Sequence, residues 1–94
     1  MGTHYKVLIF DDHLGLIKDK TPHQQAEELN LKLEQANANI FIPVQYVEDV
    51  DCLFFELRKD HPEKYLNLLN FDNVYYSEDC AGTHLMNLKK LIKI

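Results

Sequence analysis

Glycine is scarce in this chain. Its three residues, at positions 2, 15 and 82, lie too far apart to build the glycine-rich loop that cradles a phosphate. Cysteine is scarcer still. Cys52 and Cys80 form no C-x-x-C pair, which argues against a disulfide framework and against a zinc site, and leaves two free thiols with Cys52 half buried. No apolar run approaches the roughly 20 residues of a membrane span. The opening Met1-Gly2-Thr3-His4-Tyr5-Lys6 lacks the charged-then-apolar layout of a secretory leader, so a cytoplasmic protein without a membrane partner is expected. Basic residues are outnumbered, 10 Lys and Arg against 15 Asp and Glu, and the net charge of −5 disfavours a nucleic-acid partner, whose binding is driven by cations neutralising phosphates. The one basic cluster, Lys89, Lys90 and Lys93, falls where cations would complement the dipole of a last helix. Repeats, low-complexity tracts and linkers are lacking as well.

What is present fits one small domain spanning 1–94, since 94 residues are near the lower end of what buries a self-sufficient core. Tyr5 to Phe10 is an apolar run broken only by Lys6, the pattern of an interior strand covered on both faces. A loop with Leu14, Leu16 and Ile17 follows and is expected to fold back onto the core. Thr21-Pro22-His23-Gln24 carries an N-cap, a proline at the first helical position and the Gln of a capping box. A helix is therefore predicted over Pro22 to Asn37, burying Ala26, Leu29, Leu33 and Ala36. Ile40 to Val47 reads as a second strand, and Pro43, which cannot donate a ladder bond, places it at an edge.

From there the signals mix. Val50, Leu53, Phe54 and Leu57 sit at i, i+3, i+4 and i+7, and with Asp49 as N-cap and Arg58-Lys59 in the last turn they predict a helix. Pro62 restarts it to about Asn70, giving a kinked or broken second helix. Val74-Tyr75-Tyr76 forms a third strand, with one tyrosine in the core and the other exposed. Gly82-Thr83 opens a last helix with Leu85, Leu88, Leu91 and Ile92 on one face. The order βαβαβα implies an α/β fold with a three-stranded parallel sheet, strand order 2-1-3 and flanking helices.

In that arrangement the carboxyl ends of the first and third strands are neighbours. Asp11 and Asp12 would then share a crevice with Ser77, Glu78 and Asp79, with His13 beside them. Converging carboxylates repel, and a hard divalent ion such as magnesium, held by Asp11, Asp12 and Asp79, is one relief. A bound proton and full solvation as ordinary loop acids are the others. Tyr75 and Tyr76 would lie on a sheet edge open to a partner strand or a twin subunit.

Lys6-Val7-Leu8-Ile9-Phe10-Asp11-Asp12-His13 resembles the opening of response-regulator receiver domains, whose apolar first strand ends in an acidic pair that holds magnesium. More faintly, Val47-Glu48-Asp49-Val50-Asp51 is similar to the receiver's second strand entering its second helix, and Asp72-Asn73-Val74-Tyr75-Tyr76-Ser77 to its third strand. The resemblance implies the first half of a receiver, or flavodoxin-like, fold. Its phosphoacceptor position falls on Ser77, and the fourth and fifth strands, with the family's hydroxyl residue and lysine, are missing. The expected function is a non-enzymatic interaction module of signalling or conflict type, a shortened inactive receiver that binds a protein partner or itself. Two alternatives stand beside it: a magnesium-dependent phosphoacceptor or phosphotransfer domain, and a small acidic inhibitor that mimics nucleic acid, for which the run Glu48, Asp49, Asp51 is the motive.

Overall fold

In the computed structural model of the chain, residues 4–10, 20–71, 73–78 and 85–88 are described. They form strand β1 (His4–Phe10), helix α1 (Pro22–Gln35), and strands β2 (Ile40–Val47), β3 (Cys52–Arg58), β4 (Asn73–Ser77) and β5 (Met86–Asn87). Two short 3-10 turns, Glu48–Val50 and Pro62–Tyr65, join β2 to β3 and follow β3. The strands make one sheet in the order β2-β3-β1-β4-β5, and every neighbouring pair is antiparallel.

This corrects the expectation of a parallel, receiver-like α/β fold. The deciding segment is 52–58. Its apolar run satisfies a helical spacing and a strand alternation alike, because Leu53, Phe55 and Leu57 fall on one face and Cys52, Phe54, Glu56 and Arg58 on the other. As a strand it satisfies both of its hydrogen-bonding edges by pairing with β2 and β1 together. Val50, which the helical reading needs in its apolar stripe, is 55% exposed. Once β3 lies between β2 and β1, the sheet becomes a split β-α-β arrangement: β1 and β2 run in the same direction, as a crossover through α1 requires, without touching. The second crossover position holds the Pro62–Tyr65 turn in place of the expected kinked helix. The described part of the expected last helix, 85–88, contributes β5.

Helix α1 forms for the reasons its sequence gives. The Thr21 hydroxyl accepts from the Gln24 N–H at 3.1 Å while the Gln24 side-chain oxygen accepts from the Thr21 N–H at 2.8 Å, and Pro22 occupies the first turn. It ends at a left-handed Asn37 (φ 58°): the Asn37 N–H donates to the Glu34 carbonyl and the Ala38 N–H to the Leu33 carbonyl, each at 3.0 Å, closing a Schellman motif. Gln25, Ala26, Leu29 and Leu33 are buried against the sheet, whereas Ala36, expected in the stripe, is exposed. Under the helix the register stacks Tyr5 on Leu57, Val7 between Phe55 and Tyr76, and Ile9 between Leu53 and Val74. Fully burying each such aliphatic side chain contributes about 1.5–3 kcal/mol. Tyr65, Leu69 and Leu88 complete this core.

Two polar devices hold the periphery. At the β2 edge, Pro43 sits in a stretch where the register shifts, and the Asn30 side chain imitates a neighbouring strand: its Nδ2 donates to the Val44 carbonyl at 2.9 Å and its Oδ1 accepts from the Val44 N–H at 2.7 Å. At the far end of β3, Asp60 Oδ2 accepts from the Tyr65 hydroxyl at 2.6 Å and from the Asn39 N–H at 3.2 Å, with Lys64 Nζ 3.7 Å from the other oxygen. That carboxylate ties β2, β3 and the 3-10 turn together.

Replacing Asn30 by Ala strips both partners from the Val44 backbone and is expected to cost about 1–3 kcal/mol in urea unfolding; an unchanged midpoint would show that the amide is ornamental. The Tyr65 hydroxyl, the Asn39 N–H and Lys64 hold the Asp60 carboxyl below its ordinary value of 3.8, against the opposing effect of burial. A carboxyl lowered in the folded state stabilises above its unfolded pKa and loses that contribution as pH falls through the folded one. Asp60→Asn should therefore lower stability at neutral pH and flatten its decline below about pH 4, as read by thermal melts across pH.

Candidate functional site

The antiparallel register separates what parallel pairing would have joined. Phe10, the last described residue before the acidic pair, lies opposite Asn73, whereas Ser77 lies opposite Lys6. Four residue steps at about 3.3 Å each put these strand ends roughly 13 Å apart along β1. The shared carboxyl edge on which the acidic crevice depended does not form between β1 and β4. Asp11, Asp12, His13 and Asp79 themselves lie outside the described residues, and with them the expected magnesium ligands. Of the rest, Ser77 is buried at the end of β4 and Glu78 is exposed just beyond it. Among the described residues no group of three or more His, Cys, Asp or Glu side chains is placed to hold a metal ion.

Tyr75 and Tyr76 fall on opposite faces, as the pleat requires. Tyr76 is buried on the helix side, where the His61 ring packs edge-on at 4.8 Å and Tyr5 lies 6.4 Å away. Burial, with the negative charges of Glu78 and Glu63, raises its pKa. His61 is oriented from its other side, its Nδ1 accepting from the Glu63 N–H at 3.1 Å. Tyr75 is half-buried on the face away from the helix, its ring 6.0 Å from Phe10.

That second face carries an ordered set of side chains. Across all five strands the register lines up Gln45, Phe54, Leu8, Tyr75 and Asn87 in one row. Phe54, Leu8 and Tyr75 are half-buried. The next row is Ile42, Glu56, Lys6 and Ser77, and beyond it Arg58 pairs with His4. Phe41 is caught between the last two, its ring 4.5 Å from the His4 ring and 4.5 Å from the Arg58 guanidinium, with 44% of its surface exposed. Cation–π contacts at such exposed positions contribute about 0.5–1 kcal/mol and hold the rings in place more than they stabilise the fold.

The alternation that generates the row was legible in β1, where Leu8 and Phe10 oppose Val7 and Ile9. Phe54 was missed because the helical reading of 52–58 turned it into a core residue. Cys52, expected half buried, is fully buried, and burial, with Asp51 alongside, raises its thiol pKa.

At the other end of the sheet the turn between β2 and β3 presents Glu48, Asp49 and Asp51, all exposed. No Lys or Arg lies between positions 33 and 57. Asp51 takes the left-handed conformation (φ 49°) that closes the turn, and its carboxylate accepts from the Tyr46 hydroxyl at 2.5 Å. That bond, with burial and the charges of Asp51 and Glu48, pushes the Tyr46 pKa up to about 12. A groove of about 530 Å³ beside the β2 edge, lined by Asn30, Glu34, Ala38, Ile40 and Pro43, is open to solvent, and its half-buried Asn30 amide is already spent on Val44.

No helix among the described residues is long and apolar enough to cross a membrane. No family model, curated protein or solved structure matches the chain.

A thiol that is buried and held protonated reacts slowly. In a Cys80→Ser background, Cys52 is expected to react with a thiol reagent at least about tenfold more slowly in the folded protein than in guanidinium. Equal rates would show that the second face opens freely at the start of β3.

Proposed function

We propose that this chain is a non-enzymatic protein-interaction module that binds through the face of its sheet opposite α1. The observation that carries the reading is the in-register row Phe54-Leu8-Tyr75, which sets two aromatic rings and a leucine side by side across three central strands on the face that α1 does not cover. Enrichment in aromatic residues and flanking by polar groups is how interface cores differ from ordinary surface. Here the flanks are Gln45 and Asn87 at the row's ends and Lys6, Glu56, Arg58 and His4 along its side. A row of apolar side chains on a sheet face suits a protein surface of matching shape, since stacked sheets pack about 10 Å apart.

The exposed acids of the β2–β3 turn favour a second reading, an acidic inhibitor that enters a basic protein groove, because no basic side chain interrupts them in sequence. It is tested by salt. Binding to a basic partner that weakens steeply between low and physiological salt and disappears in Asp49→Lys would support it.

The principal reading is tested by placing the photoreactive residue p-benzoylphenylalanine at Tyr75 and, separately, at Leu31, which is 58% exposed on the helix. In the cells that make the protein, crosslinks to a second polypeptide are expected from position 75 and not from 31. Equal crosslinking from both positions, or none from 75, would remove the sheet face as the binding surface.

A further inference from the structure

We propose that His61 is a proton-operated latch on the turn that follows β3: neutral, its Nδ1 caps the turn through the Glu63 N–H; protonated, the same nitrogen turns to the Glu63 carboxylate and the cap is released. The support is a pair of distances to one residue. Nδ1 accepts from the Glu63 N–H at 3.1 Å, and Glu63 Oε2 lies 4.0 Å from the same atom. A ring nitrogen that accepts carries no proton, so in this arrangement the imidazole is neutral and its hydrogen sits on Nε2. Protonation makes Nδ1 a donor as well. Two N–H groups then face each other, the bond to the backbone is lost, and the carboxylate becomes the acceptor, in a charge-assisted bond.

The ring is held with this nitrogen toward Glu63. Tyr5 of β1 lies 5.0 Å from it, ring centre to ring centre, at 63°, and Tyr76 of β4 lies 4.8 Å away at 70°. As phenols they bring no charge at neutral or mildly acidic pH. Solvent supplies the proton, since 32% of the His61 side chain is exposed. Histidine is the side chain whose charge changes between about pH 5 and 8, which sets the range in which such a latch works. Asp60, one residue earlier, is engaged by the Tyr65 hydroxyl, the Asn39 N–H and Lys64. Glu78 follows β4, and its negative charge is felt at Tyr76.

The element under control is the start of the connection from β3 to β4. The Lys64 N–H donates to the His61 carbonyl at 3.0 Å and the Leu66 N–H to the Glu63 carbonyl at 3.3 Å, while Tyr65 and Leu69 of the same segment are buried in the core. Losing the cap frees the first turn. Tyr65, held by burial and by Asp60, keeps the remainder in place. The latch lies on the helix side of the sheet and does not depend on the reading of the opposite face as a binding surface.

Nitrogen-15 NMR on the full chain tests it. A scalar coupling across the hydrogen bond, between the Glu63 amide nitrogen and His61 Nδ1, is expected at about pH 8 and is expected to vanish at about pH 5. Protection of the Glu63 amide from exchange, corrected for the intrinsic effect of pH, should fall at least about twofold between the two. At the lower pH a His61 Nδ1–H resonance shielded from solvent should appear, and it should be absent from Glu63→Ala. His61→Asn caps the turn with an oxygen that does not titrate, so its Glu63 amide should keep the same protection at both pH values. Circular dichroism establishes that the variants are folded, and the coupling in the unaltered chain decides the matter if one of them is not. A coupling that persists at the lower pH, none at the higher, a shielded Nδ1–H that survives Glu63→Ala or never appears, or a His61→Asn chain that loses protection as the unaltered one does, each overturns the latch.

Discussion

The fold depends on β1 being gripped from both sides by antiparallel strands. Val7 and Ile9 have zero exposure because β3 supplies Phe55 and Leu53 on one side, β4 supplies Tyr76 and Val74 on the other, and α1 closes the layer with Leu29 and Leu33. A chain of 94 residues has little apolar surface to spare. One central strand that brings core residues from both neighbours into contact is an economical way to make a single core. The same pairing fixes the register, and a one-residue slip would exchange Tyr5, Val7 and Ile9 for Lys6, Leu8 and Phe10 on the buried side. Lys6 under the helix would be intolerable.

The register therefore also writes the second face. Every residue that locks the core by pairing under α1 places its sequence neighbour in a row on the opposite side, and the order of that row is a by-product of core packing in β1, β3 and β4 together. The outer edges are finished differently. Asn30 answers the backbone of Val44 at the β2 edge, so a strand arriving there finds its bonding positions taken, and Pro43 offers no N–H. Edge-to-edge growth at β2 is thereby discouraged.

Local signals were read with different success according to how far their physics reaches. The capping box at Thr21, the helix stripe Ala26, Leu29, Leu33 and the edge position of β2 marked by Pro43 follow from hydrogen bonds and sterics confined to a few residues, and the structure shows each of them. The segment 52–58 failed because an apolar run of that length supports two periodicities equally, and only strands distant in sequence select between them. With it fell the parallel sheet, the receiver-like half-fold and the meeting of strand ends that the acidic crevice required. The resemblance around Lys6 to His13 was carried by a strand ending in acids, a pattern compatible with either direction of pairing.

By itself, the sequence determined helix α1 with its N-terminal cap, an interior first strand, a proline-marked edge strand and a strand at Tyr75 and Tyr76 whose rings must part to opposite faces. It determined the negative balance of charge as well. Only the tertiary structure decided that β3 is a strand, that its neighbours run antiparallel, and that Phe54, Leu8 and Tyr75 stand abreast. Alternation along a strand fixes which residues share a face, but which residues share a row is set by the register between strands, and that register is fixed by contacts across 40 to 70 residues of chain.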